Sequence, residues 1–244
     1  MENKKGKVYI VGAGPGDPEL ISVKGLKILK RADCVLYDFL SAPELLGYAK
    51  KSSEKICVGK KDGLHLKEQE EINRLLYDKA SVHKTVIRLK GGDPFIFSRG
   101  SEEAKYLKSK GIKVEIIPGI TSAFAGPLNF GIPLTVKNKI QSVAVITGRK
   151  KDLNADIEAP SCGTLVYLMA VANIANVVKA LLKSGRNKET PCAFIEKATR
   201  KDEHITLATI GTIEEVAKEA GVKPPAILIV GEAVSYIEDK KNEH

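Results

Sequence analysis

The chain has 244 residues, 43% of them hydrophobic and 28% charged, which is typical of a globular protein with one large or two small domains. No apolar run approaches the roughly 18 residues that a membrane-spanning helix needs. Basic residues outnumber acidic ones by 39 to 30, a net charge of +9, but aromatic residues make up only 5% and Trp is absent. A lysine-rich solvated surface explains most of this charge. A nucleic-acid partner stays open, although the few aromatic residues and the lack of a recognised nucleic-acid motif count against it, and a polycarboxylate small molecule would be attracted by the same field.

The first half of the chain alternates strand and helix patterns. Strands are predicted over 7–11, 34–37, 85–89 and 112–117. Helices are predicted after the capping residue Ser22 and over 68–80 and 100–110. This repeated order predicts a mainly parallel sheet with helices on both faces.

The second half mixes parallel and hairpin patterns after a polar break at 136–139. Strands are predicted over 142–147, 164–169, 192–196 and 226–230, with helices over 173–182 and 212–220 and a short hairpin over 204–211. We therefore predict an α/β protein of two α/β domains, 1–136 with a mainly parallel sheet and 137–244 with a mixed sheet. Glycine loops on both sides of the break predict a ligand cleft between the domains.

The segment VIRLKGGDPFIF, residues 86–97, is the most informative in the chain. A β-branched strand ends in Gly91 and Gly92, whose bare backbone lets a ligand approach closely. Asp93 places a carboxylate beside it, and no G-x-x-x-x-G-K-[ST] phosphate loop occurs anywhere in the chain. These features favour a cationic or amino-acid-bearing ligand, although an ordinary strand-to-helix turn explains the same residues.

A second glycine loop, GAGPGDP at 12–18, follows the first predicted strand. It departs from the dinucleotide fingerprint G-x-G-x-x-G because Asp17 stands where the last glycine is required. Asp38 ends the next predicted strand, where a ribose-binding acid is expected, so a nicotinamide-binding site stays open. The loop at Gly91 counts against it, since one dinucleotide uses one such fingerprint.

The four cysteines contain no C-x-x-C pair, and the four histidines form no pair at helical spacing. We expect buried free thiols and no metal site. The amino terminus has no apolar stretch before a cleavage site, which predicts a cytoplasmic protein.

The two glycine loops occur in longer segments, GAGPGDPELISVKG (12–25) and VIRLKGGDPFIFSRGSEE (86–103). They resemble the two signatures of the uroporphyrinogen-III C-methyltransferases, a family of the tetrapyrrole methylase group that uses S-adenosyl methionine. The similarity continues through VGKKDGLH (58–65), PGITSAFAGPLNFGIPLT (118–135), TLVYLMAV (164–171) and PPAILIVGEAV (224–234). It therefore extends over nearly the whole chain, in order and at consistent spacing.

The resemblance implies roles for individual residues. The cofactor-binding residues it implies are Pro15, Gly91, Gly92, Asp93, Ile96, Thr121, Ser122, Met169, Ala198 and Ala226. It implies Asp38 and Lys60 as catalytic, with Lys60 either a proton donor or an anchor for substrate carboxylates. Further candidates for substrate carboxylates, each expected at the surface, are His65, Arg88, Lys90, Arg99, Arg149 and Lys150.

The implied reaction methylates uroporphyrinogen III on rings A and B to give precorrin-2, with S-adenosyl homocysteine as the second product and a homodimer as the assembly. Small departures from the family pattern, such as Ser98 and Ser101 in place of common glycines, leave the substrate within the group open. The alternatives are a later-acting precorrin methyltransferase, diphthine synthase, a nicotinamide oxidoreductase and a tetrapyrrole carrier without catalysis.

Overall fold

The structure is a computed structural model that describes residues 5–41, 43–59, 68–150 and 156–237. The chain forms two compact units, residues 1–121 and 122–244. Among the described residues, no helix has the length and apolar character needed to cross a bilayer.

The first unit contains a parallel sheet of five strands in the order β3-β2-β4-β1-β5. The strands are β1 (Lys7–Gly12), β2 (Cys34–Tyr37), β3 (Glu54–Cys57), β4 (Thr85–Lys90) and β5 (Lys113–Ile117). The helices are α1 (Val23–Leu29), α2 (Gln69–Val82) and α3 (Gly100–Ser109), with short 3-10 turns at Pro18–Leu20 and Pro43–Tyr48.

Successive residues of the central strands enter two different hydrophobic clusters. Val8 and Ile10 of β1 pack with α2 and α3, whereas Val11 packs with α1. Side chains alternate across a strand, so a strand buried on both faces requires apolar residues at consecutive positions. The predicted parallel sheet with helices on both faces is thereby confirmed. The predicted cap is confirmed as well, since Ser22 Oγ accepts a hydrogen bond from the Gly25 amide.

The second unit contains a mixed sheet in the order β6-β7-β10-β8-β9, parallel between β6 and β7 and antiparallel elsewhere. The strands are β6 (Val143–Thr147), β7 (Thr164–Leu168), β8 (Pro191–Glu196), β9 (His204–Thr209) and β10 (Ala226–Val230). The helices are α4 (Ser122–Leu128), α5 (Ile174–Lys183) and α6 (Ile213–Glu219), with 3-10 turns at Val171–Asn173 and Glu232–Tyr236.

Two details of the second half differ from the prediction. The hairpin predicted over 204–211 is wrong: residues 204–209 form one strand, β9, which pairs with β8. The division between the compact units lies at 121/122, before the predicted break, because Ala123 of α4 and Ile132 pack into a hydrophobic cluster of the second sheet. A division into domains 1–136 and 137–244 stays a proposal.

The four cysteines are free thiols, but only two of them, Cys34 and Cys192, are buried as predicted. Burial raises the pKa of both Cys34 and Cys192 to about 12, whereas Cys57 and Cys162 are half-buried.

Only the thiolate form of a cysteine is nucleophilic. We therefore expect iodoacetamide at pH 8 to label Cys57 and Cys162 first in the folded protein, and all four thiols after unfolding. Peptide mass spectrometry measures this order, and early labelling of Cys34 or Cys192 would contradict it.

Candidate active site

Three loops meet where the parallel strands β1, β4 and β5 end. The Gly14 amide donates to Gly92 O over 3.3 Å, and the Gly92 amide donates to Gly14 O over 2.7 Å. A Cβ on Gly12 would lie 2.5 Å from Gly119 Cα, and one on Gly119 would lie 2.3 Å from Gly92 O. Real Cβ atoms do not approach backbone this closely, so only glycine permits the three loops to touch.

Asp93 fastens two of these loops together. Its Oδ2 accepts a hydrogen bond from the Gly119 amide at 3.0 Å, and its Oδ1 accepts one from the Phe95 amide at 2.8 Å. Gly92 has a φ of +66°, and the nearest described atom to its would-be Cβ is Thr121 Cα at 3.8 Å. The turn thus requires glycine at 92 and leaves the space beside its Cα open for a ligand.

Apolar side chains are exposed around this edge of the sheet. Phe95, Ile96, Phe97 and Ile120 are exposed on the loops after β4 and β5, and Leu40 is exposed on the loop after β2. A concentration of exposed apolar side chains on neighbouring loops marks a binding surface. Loops that offer apolar side chains suit a ligand with apolar or aromatic parts better than a phosphate.

Asp38 lies directly after β2 at the same edge. Its Oδ2 accepts a hydrogen bond from Arg88 Nη2 at 3.0 Å, which is also an ion pair. Its Oδ1 accepts from Ser41 Oγ at 3.1 Å and from the Gly91 amide at 3.3 Å. Asp38 is 23% exposed in its side chain, so one partly open carboxylate is held in a fixed orientation beside the Gly91 loop.

Arg88 and Lys90 are buried rather than at the surface, and this part of the sequence-based expectation is wrong. Both side chains contact Glu103 of α3, Arg88 Nε at 3.2 Å and Lys90 Nζ at 3.0 Å. Burial and the neighbouring Arg88 charge lower the pKa of Lys90, and Glu103 opposes them. Because Lys90 is only 3% exposed, we assign it to this buried cluster instead of to substrate carboxylates.

Two predicted site residues, Lys60 and His65, lie outside the described residues. The segment that leads to them does contact the site. A Cβ on Gly59 would lie 2.9 Å from Asp38 Cα, so the chain after β3 passes directly against Asp38.

The other predicted residues of the first unit lie on the same loops. Pro15 and Ile96 are at least partly exposed there, and Thr121 is buried at the end of the loop after β5. Arg99 has a φ of +62°, precedes α3 and forms an exposed ion pair with Glu102 at 2.7 Å. Ser122 is the first residue of α4 in the second unit.

The predicted residues of the second unit lie at one edge of the mixed sheet. Met169 follows β7, Ala198 follows β8, and Ala226 begins β10, which is antiparallel to both strands. Arg149 follows β6, which is parallel to β7, and it is exposed. Met169, Lys197 and Thr199 at this edge have positive φ. Strained backbone of this kind concentrates at functional sites.

One group of potential metal ligands lies among the described residues, at the opposite edge of the parallel sheet. The ligand atoms of Cys34, Glu54 and His83 lie within 4.8 Å of one another. Glu54 Oε1 is 2.6 Å from Lys79 Nζ, and its Oε2 is 3.2 Å from His83 Nε2. Both carboxylate oxygens are therefore already occupied, and the group is a satisfied ion-pair cluster.

Sequence reasoning did not assign functional roles to Gly119 and Glu103. Gly119 was visible as the Pro118–Gly119 break after β5, which is the same strand-then-glycine pattern that singled out Gly91. Glu103 had no comparable signal, because an acidic residue near a helix start usually points to solvent.

Comparison with known proteins finds similar sequences and similar structures. Residues 7–214 match the family model of the Tetrapyrrole (Corrin/Porphyrin) Methylases. A uroporphyrinogen-III C-methyltransferase of Methanocaldococcus jannaschii is 49% identical over 240 residues, which is 96% of this chain and 99% of that protein. The crystal structure of uroporphyrin-III C-methyl transferase from Thermus thermophilus complexed with S-adenyl homocysteine is 41% identical, covers 94% of this chain and 99% of that one, and has a TM-score of 0.79. A cobalt precorrin-4 methyltransferase structure is 30% identical, with the same TM-score, and covers 93% of this chain and 95% of that one.

Proposed function

Because this chain belongs to the tetrapyrrole methylases, we propose that it transfers methyl groups from S-adenosyl methionine to uroporphyrinogen III on rings A and B, giving precorrin-2. The observation that carries the proposal is the glycine junction of the loops after β1, β4 and β5, with Asp38 fixed beside it. A relative that spans the same length at 49% identity supports the choice of substrate.

The residues fit the methyl donor, which supplies an electrophilic carbon on a positively charged sulfur. Gly92 lets the donor lie against the main chain, and the Asp93 carboxylate holds that loop on Gly119. We propose that the main chain of Gly91 also contacts the donor, on the side away from Leu40, which fills the space beside the Gly91 Cα. Ile96 presents apolar surface, as exposed Met169 does on the second unit. We propose further contacts from Pro15, Thr121, Ser122, Ala198 and Ala226. The main task of such a site is orientation and exclusion of water.

Asp38 is the proposed acid–base residue. A pyrrole carbon forms the new bond to the methyl group as the bond from methyl to sulfur breaks, and S-adenosyl homocysteine leaves. The methylated ring system then loses a proton, which the partly open Asp38 carboxylate accepts. Arg88 holds that carboxylate in one orientation, because its guanidinium lies 3.0 Å away. We propose that Lys60, His65, Arg99 and Arg149 bind substrate carboxylates, and that Lys60 also acts on the macrocycle.

We propose further that the protein works in the cytoplasm as a homodimer. Analytical ultracentrifugation tests the assembly, since sedimentation as a monomer at micromolar concentration would contradict it. A later-acting precorrin methyltransferase is the second candidate, supported by the 30% identity to a cobalt precorrin-4 enzyme. The 41% identity to the uroporphyrin-III enzyme favours the first candidate.

Anaerobic incubation with uroporphyrinogen III and methyl-labelled S-adenosyl methionine tests the proposed reaction. We expect two labelled methyl groups in each tetrapyrrole product, measured by mass spectrometry. In isothermal titration calorimetry, S-adenosyl homocysteine is expected to bind and NAD is not. No label in the product would reject the substrate, and binding of NAD without S-adenosyl homocysteine would favour an oxidoreductase.

A further inference from the structure

The face of β4 that packs against α2 and α3 carries two charges in an otherwise apolar stripe. Arg88 and Lys90 follow Val86 on this face, and the side chains of both are 4% exposed. Glu103 is fully buried, and its Oε1 accepts hydrogen bonds from Arg88 Nε, Lys90 Nζ and Gln69 Nε2 at 3.0–3.2 Å. Buried ion pairs of this kind contribute little net stability, so stability alone does not explain the arrangement.

The cluster continues from the core to the sheet edge through Arg88. The Arg88 guanidinium contacts Glu103 through Nε, Leu89 O through Nη1 and Asp38 Oδ2 through Nη2, all at 3.0–3.2 Å. A planar guanidinium held at three points has one orientation. The position of the Asp38 carboxylate therefore depends on the position of Glu103.

We propose that Glu103 is a positioning residue for methyl transfer, which fixes the Asp38 carboxylate through Arg88. This inference rests on the proposed role of Asp38. The four charges balance, because two cations, Arg88 and Lys90, face two anions, Asp38 and Glu103. Among the described residues, Glu103 Oε2 has no hydrogen-bond partner, so the contribution of Glu103 to this network passes through Oε1 alone.

The net charge left in the cluster by each variant separates the effect of Glu103 on the Asp38 carboxylate from its effect on the stability of the protein. Glu103→Gln leaves two buried cations facing one anion, and Arg88→Met leaves two anions facing one cation. The double variant leaves one anion, Asp38, and one cation, Lys90, so the charges of the cluster balance again. It is therefore expected to unfold at a higher temperature than Glu103→Gln, although its connection to Asp38 is lost.

The experiment compares kcat and thermal unfolding of wild type, the two single variants and the double variant. We expect kcat to fall about 100-fold in each single variant, because misplacement of a reacting group by about 1 Å has that effect. We expect the double variant to regain stability while its kcat stays within about threefold of Arg88→Met. Affinity for S-adenosyl homocysteine is expected to stay at the wild-type value throughout, since the cluster lies outside the glycine junction.

Glu115→Gln is the matched control. Glu115 also lies between two cations, Lys7 and Lys24, each 2.5 Å away, but it is on a more exposed part of β5 and its two ion pairs do not involve Arg88 or Lys90. Wild-type kcat is expected for Glu115→Gln.

If the double variant instead regains kcat together with stability, Glu103 is only a structural residue and the proposal is overturned. If Glu103→Gln does not fold, the kcat of the double variant is compared directly with the kcat of Arg88→Met and of wild type.

A crystal structure of Glu103→Gln, or of Glu103→Asp if the glutamine variant does not fold, gives a readout besides activity. We expect the Arg88–Asp38 contact of 3.0 Å to be lost, and its persistence at that distance would overturn the proposal. Absence of methyl transfer by both wild type and Glu115→Gln would reject the proposed function. The crystal structure would still decide the positioning claim in that case.

Discussion

Gly119→Ala is expected to raise the Kd for S-adenosyl homocysteine at least about 100-fold, which corresponds to about 2.7 kcal/mol. The new methyl group would lie 2.3 Å from Gly92 O and 2.7 Å from Gly12 Cα. Both are main-chain atoms, which no side-chain rotation can move aside. The loops after β1, β4 and β5 must then separate, and the surface beside Gly92 changes shape. Isothermal titration calorimetry of the folded variant measures the loss.

Gly47→Ala is the control for this substitution. A Cβ at Gly47 would meet no atom of the described part of the chain within 4 Å, so wild-type affinity is expected. If Gly119→Ala retained native circular dichroism and wild-type affinity, the glycine junction would not be the cofactor site.

Asp38→Asn is expected to lower kcat roughly 10²- to 10⁴-fold, the usual contribution of a general base. The amide keeps the size of the carboxylate but accepts no proton, and its NH2 group cannot pair with Arg88 Nη2. S-adenosyl homocysteine is expected to bind with wild-type affinity, because the glycine junction is unchanged. Single-turnover methyl transfer separates the chemical step from product release.

Asp33→Asn is the matched control, since Asp33 precedes the same strand at its opposite end. Asp33 pairs with Lys50 at 2.7 Å and accepts a hydrogen bond from the Thr85 amide. Wild-type kcat is expected for this variant. Equal rates for Asp38→Asn and wild type would remove Asp38 from the mechanism.

Most strands and helices were predictable from the sequence, because a run of apolar residues such as Val8, Ile10 and Val11 is visible without a structure. It was insufficient for α4, where Gly126 and Pro127 resemble a helix break although both are buried inside the helix. It was insufficient for β9 as well, since strand partners are set by packing with β8 rather than by local pattern.

The site was predictable where backbone geometry determines the residue type, and not where distant charges meet. Gly91 and Gly92 were recognisable because two adjacent glycines after a strand leave the backbone bare, although an ordinary turn explains the same residues. The burial of Arg88 and Lys90 was not recognisable, because it depends on Glu103, which approaches from another element. Exposure of a charged side chain is the ordinary expectation, and only the packing of α3 on the sheet overturns it.

A crystal structure of this chain with S-adenosyl homocysteine tests the central claim most directly. We predict that the ligand contacts the main chain of Gly91 and Gly92 and the loop from Gly119 to Thr121, with its sulfur directed toward the side of the edge that holds Asp38. Density for the ligand away from these loops, in a crystal where they keep the present geometry, would contradict the account.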